Sequence, residues 1–108
     1  MKLINCTPHA VTVVLESGTL EIEPSGIIPR CTQTSEQIGT VDIEGKTIPV
    51  IKTVFGEVFD LPEKQDDTFL IVSMLVASAA QRDDLLIPAD IIRDDKGRII
   101  GCKSLARV

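Results

Sequence analysis

The sequence predicts an α+β fold: a mainly antiparallel or mixed β-sheet, either open or closed into a partial barrel, with one main helix packed on it. Three observations predict it. Short runs of isoleucine, valine and leucine recur along the chain, separated by Gly, Pro, Asn, Asp and Ser turn signals. Only three of the 108 residues are aromatic, all phenylalanine, so the core must be built from branched aliphatics, which favour sheet. One stretch alone, residues 68–88 (TFLIVSMLVASAAQRDDLLIP), passes without a break from a strand-like run into a helix-like one.

Taken in order, residues 2–6 alternate toward a strand that Thr7-Pro8-His9 breaks. Residues 10–15 (AVTVVL) are β-branched, Ser17-Gly18 makes a turn, and Leu20-Glu21-Ile22-Glu23 alternates apolar and acidic. Together they predict an antiparallel hairpin over residues 10–23. After a turn at Pro24-Ser25-Gly26, Ile27 and Ile28 open another strand that Pro29 cuts. The polar residues 31–37 suit an exposed edge. Glu44-Gly45-Lys46 reads as a tight turn into residues 47–54, where Pro49 marks an edge position or a bulge. Gly56 permits a bend, Val58-Phe59 a further short strand, and residues 61–67 a polar loop.

Residues 69–72 form a short β-branched run, the pattern of a strand buried on both faces. Ser73 is placed to cap the helix that follows, its hydroxyl accepting from a backbone N–H of the first turn. A single main helix is expected within residues 73–82. Arg82 suits a helix C-terminus, whereas Asp83 and Asp84 oppose the macrodipole there. The two acids therefore belong outside the helix, in a turn, or against an arginine. Residues 85–87 are apolar again, and Pro88 is expected to close them because it cannot donate to a ladder. Asp94-Asp95-Lys96-Gly97 is a turn that joins residues 89–93 to 98–102 as a second hairpin.

The length fits a single domain, residues 1–108. With a net charge of −5, no Lys/Arg cluster and few stacking side chains, nucleic-acid binding is not expected. No apolar run reaches the length of a membrane span or a signal-peptide core, which predicts a cytoplasmic protein without a membrane partner. Cys6, Cys31 and Cys102 are odd in number and widely spaced. Reduced thiols and no bound metal are the expectation.

Chemistry has few carriers. G-x-S-x-G, P-loop and dinucleotide signatures are missing, so no cofactor is indicated. His9, the only histidine, can serve as a lone general base, fix a turn, or pair with Cys6 or Cys102 for nucleophilic catalysis. The paired acids 66–67, 83–84 and 94–95 are neighbours in turns and point apart. Arg82 and Arg93 each precede an aspartate and border the same apolar segment, residues 85–92. With His9, Ser73 and Asp83 they make up a candidate pocket for a small anionic ligand, since arginine grips carboxylate and phosphate bidentately. The same arginines can instead pair internally with Asp83, Asp84 or Asp94.

The opening Ile4-Asn5-Cys6-Thr7-Pro8-His9-Ala10-Val11 resembles that of a group of small uncharacterised bacterial and phage proteins with an N-terminal N-x-T-P-H motif. Leu61-Pro62, Ile71-Val72-Ser73, Arg82-Asp83-Asp84-Leu85 with Pro88, Arg93-Asp94 with Gly97, and Gly101-Cys102 extend the resemblance over most of the chain. It implies a bacterial or phage cytosolic protein and carries no activity with it. In that group an apolar residue is expected more often than cysteine at the place of Cys6, which argues against an essential thiol.

Two functions follow as expectations. The first is a non-enzymatic binding or interaction module acting on a partner protein or a small anionic metabolite, with unpaired strand edges favouring a homo-oligomer. The second is a small hydrolase or transferase using His9 with Arg82. Convergence of His9, Ser73, Arg82 and Arg93 on one concavity favours ligand chemistry; separation favours the module.

Overall fold

The computed structural model describes residues 1–108. Its elements run β1 (Lys2–Asn5), β2 (Val11–Leu15), β3 (Gly18–Ile22), β4 (Arg30–Ile43), β5 (Lys46–Phe59), β6 (Thr68–Ile71), α1 (Met74–Ala80), β7 (Leu85–Arg93) and β8 (Ile99–Ala106). Six strands form one mixed sheet in the order β1-β6-β7-β8-β2-β3, and β4 and β5 pair only with each other. The pairs β1–β6, β6–β7 and β2–β8 are parallel, while β2–β3 and β7–β8 are antiparallel. The sheet curls into a half-barrel: its two end strands approach one another where Asn5 bridges to Pro24, just beyond β3.

The curl explains two apolar clusters on either side of β6. Leu70 and Val72 join Cys6, Val76, Ala77, Leu85 and Ile87 under the helix. Ile71 points the other way, to Val11, Val13 and Cys102 inside the curl. Successive strand residues face opposite sides, so a strand covered on both faces reads as an unbroken apolar run. β6 is that strand.

The hairpin expected over residues 10–23 is β2–β3, with Val13 opposite Leu20. The second expected hairpin is β7–β8, with Ile91 opposite Cys102. Four expectations need correction. The helix lies within residues 73–82 but has only seven residues, so the protein is mainly β. Ser73 caps it, its hydroxyl accepting from Val76 N–H at 3.3 Å, and Gln81 ends it in the left-handed region at φ 51°. Pro88 does not close a segment; β7 runs through it to Arg93. The register with β6 stops at Leu86, so Pro88 stands where β7 has β8 alone as a neighbour and one side asks for no donor. Residues 27–28 lie outside any strand.

The largest correction concerns residues 30–59, expected as several short pieces. They are two strands of fourteen residues each, joined at Glu44-Gly45. Glu44 at φ 53° and Gly45 at φ 75° supply the two left-handed residues that a two-residue hairpin turn needs. Pro49 sits at an edge because both strands of a two-stranded ribbon are edges. This ribbon is an arm. It raises the radius of gyration to 17.7 Å, against about 13 Å for a compact chain of this length, and the molecule measures 58 × 38 × 21 Å.

Candidate functional site

The N-terminal motif builds a hydrogen-bonded knot. The Asn5 side chain is buried and donates both amide protons, to the His9 carbonyl at 2.8 Å and the Ile22 carbonyl at 2.9 Å. Its Oδ1 accepts from Thr7 N–H at 3.0 Å. The Thr7 hydroxyl lies 2.6 Å from that oxygen and 2.9 Å from the His9 carbonyl, and its single proton serves one of them at a time. Ser25 donates through N–H and Oγ to the Asn5 carbonyl, at 2.9 and 2.7 Å. The knot thus ties the end of β1 to the end of β3. What His9 gives it is the backbone carbonyl, while its residue surface is exposed.

In the turn between α1 and β7, Arg82 grips Asp84: Nε to Oδ1 at 2.9 Å and Nη2 to Oδ2 at 2.5 Å. Its Nη1 donates to the Pro62 carbonyl at 2.8 Å. The Asp84 side chain is only 4% exposed, and the Arg82 fork holds its carboxyl below the usual carboxylate range against the opposing pull of burial. Asp83 turns outward to Lys64, whose ammonium lowers its carboxyl in turn. Each of the three guanidinium nitrogens of Arg82 donates one hydrogen bond to the protein itself.

The remaining candidates stand apart. Arg93 ends β7, roughly 26 Å from its start at about 3.3 Å per residue, and donates to the Gly97 carbonyl at 2.9 Å. Ser73 borders a wide groove of about 710 Å³ between α1 and the base of the arm, with Pro8, Arg30, Cys31, Phe59 and Leu75. Asp83 borders a different, acid-lined depression of about 370 Å³. A third cleft, between β2 and the β7–β8 hairpin, is apolar and measures about 260 Å³, below the usual ligand-pocket range of about 300–1,000 Å³. His9, Ser73, Arg82 and Arg93 do not meet in one concavity. No three His, Cys, Asp or Glu side chains stand in a metal-binding arrangement. Burial pushes the Cys6 and Cys102 thiols up, away from the thiolate that nucleophilic chemistry needs.

The arm is what the candidate residues missed. Opposed residues of an antiparallel pair share a face, so the register assigns each side chain a side. One face carries Val41, Ile43, Ile48, Val50 and Val54, four of them between 41% and 55% exposed. The opposite face mixes the polar Gln33, Ser35, Thr40, Asp42, Thr47 and Thr53 with the exposed Ile51 and Phe55, and on it Thr47 Oγ donates to Asp42 at 2.8 Å. An isolated two-stranded ribbon is marginal in water, and apolar side chains gathered on one exposed face mark an interaction surface. The signal was present in the sequence as two fourteen-residue flanks of Glu44-Gly45, hidden by Pro49, Gly56 and the polar residues between.

No protein-family model, curated protein or solved structure matches this chain.

Proposed function

We propose that this protein is a non-enzymatic interaction module that engages a partner protein through the β4–β5 arm. One observation carries the reading: the arm gathers four exposed branched apolar side chains, Val41, Ile43, Ile48 and Val54, on one face of a ribbon that has no other sheet to pair with. The resemblance of residues 4–11 to small bacterial and phage proteins adds a cytoplasmic bacterial or phage setting to the proposal. The separation of His9 from Arg82, and the commitment of Arg82 to Asp84, support the module over a hydrolase or transferase.

The test is site-specific photo-crosslinking in the expressing cell, with the reactive side chain at Ile48 on the arm or at Glu23 on the body. Protein adducts at Ile48 and not at Glu23 are expected. Equal labelling at both positions, or none at Ile48, overturns the reading.

A further inference from the structure

We propose that the apolar face of the arm packs on the same face of a second copy of this chain, forming a two-fold dimer. The inference rests on the interaction reading above and names its partner.

Surface area gives the first argument. A compact protein of 11.7 kDa exposes about 5,900 Å², whereas this chain exposes 7741 Å². The excess is about 1,800 Å² per chain, and covering half of it on each of two copies removes about 1,800 Å² in total. Stable interfaces bury about 1,200–2,000 Å², so the arm alone supplies enough.

Charge gives the second. The chain carries −5, yet the arm holds Arg30, Lys46 and Lys52 against Glu36, Asp42, Glu44 and Glu57, a balance of −1 that leaves −4 on the body. Two copies therefore repel through their bodies and meet at least cost through their arms. On the apolar face Glu36 lies opposite Lys52, with Lys46 at the tip. Acid and base side by side form a pattern that a two-fold axis can match to itself, whereas a one-signed face selects a different partner.

The edges give the third. Open edges invite endless strand addition unless something blunts them. Here the register shifts between Cys31 and Gln33 and again between Gln37 and Gly39, and Pro49 removes a donor from β5. Edge growth is hindered on both strands. Stacking face to face remains, and an isologous contact closes at two copies.

Light scattering on the full-length protein at micromolar concentrations tests this, with a mass of twice 11.7 kDa expected. Val41→Glu combined with Ile48→Glu places acids on the apolar face and is expected to weaken association about a hundredfold or more. Ile51→Glu makes the same kind of change on the opposite face and is expected to leave the dimer intact. Amide protection of β6 in each variant shows that the body is folded, because the arm face makes no part of either apolar cluster. A monomeric wild type overturns the proposal, as does a dimer that survives the double change or dissolves equally with Ile51→Glu. If the wild type is monomeric but Ile48 still crosslinks to a heavier protein in the cell, the second copy is wrong and the interaction module stands.

Discussion

Arg82 and Asp84, two residues apart, meet fork to fork at the corner where β6, α1 and β7 converge. The backbone repeats the tie, since Leu70 N–H donates to the Asp84 carbonyl at 2.9 Å. Through Pro62 the same guanidinium also pins the loop that leads into β6. One side chain therefore holds three segments together.

Arg82→Ala should accordingly cost the protein about 3–5 kcal/mol, because it strands a buried carboxylate rather than an exposed one. Urea unfolding of the two proteins measures this. Lys64→Ala, which breaks the solvent-exposed pair with Asp83, should leave the midpoint where it was. A loss below about 1 kcal/mol for Arg82→Ala would mean that water reaches Asp84 freely and restore Arg82 as a ligand-binding candidate.

The pH dependence has a definite sign. The folded pKa of Asp84 is lowered, first by the Arg82 hydrogen bond, below an unfolded value of about 3.9. Its contribution is thus fully present above about pH 5 and lost as pH falls through the folded value, where the native carboxylate must take up a proton. Arg82 stays charged throughout. Stability measured from pH 7 to pH 2 should fall more steeply in the wild type than in Asp84→Asn, and parallel curves would remove Asp84 from the acid transition.

The half of the fold with a buried side was legible in the residues. β2 buries Val11 and Val13 because one face meets the core, and β6 shows an unbroken apolar run because both do. Ser73 announced its cap, while the residues after Arg82 left open whether it pairs internally, with Asp83, Asp84 or Asp94, or serves a ligand. The arm was not legible, because hydrophobic periodicity reports burial and this ribbon is exposed on both sides over nearly all its length. Pro88 misled for a related reason: whether a proline ends a strand depends on which neighbours the strand has there, and that is a property of the whole sheet. The candidate site scattered because Arg82 and Arg93, near in sequence, are held at opposite ends of a nine-residue strand.

Thiol reactivity should separate the cysteines. Cys6 and Cys102 are 3% and 1% exposed, and burial raises both thiols, whereas Cys31 is partly exposed at the base of the arm. Iodoacetamide at neutral pH should modify Cys31 first and the other two only on unfolding, as read by mass spectrometry. Early labelling of Cys6 would show that the end of β1 opens readily.

The knot at Asn5 separates a structural motif from a chemical one. The residue fills the turn with two donors and an acceptor, and all three are satisfied inside the protein. Asn5→Ala leaves the Ile22 carbonyl and the Thr7 N–H without partners, at about 1–3 kcal/mol for each group that water cannot reach, while the freed Thr7 hydroxyl still serves the His9 carbonyl. A loss of about 2 kcal/mol or more is expected, with β1 and β3 losing amide protection together because the knot joins their ends. His9→Ala keeps the carbonyl that the knot uses and should therefore melt with the wild type. The opposite pattern, a stable Asn5→Ala beside a destabilised His9→Ala, would place the weight of the motif on the imidazole. Were that the result, the knot would be incidental and the ring would need a buried partner that the present arrangement does not give it.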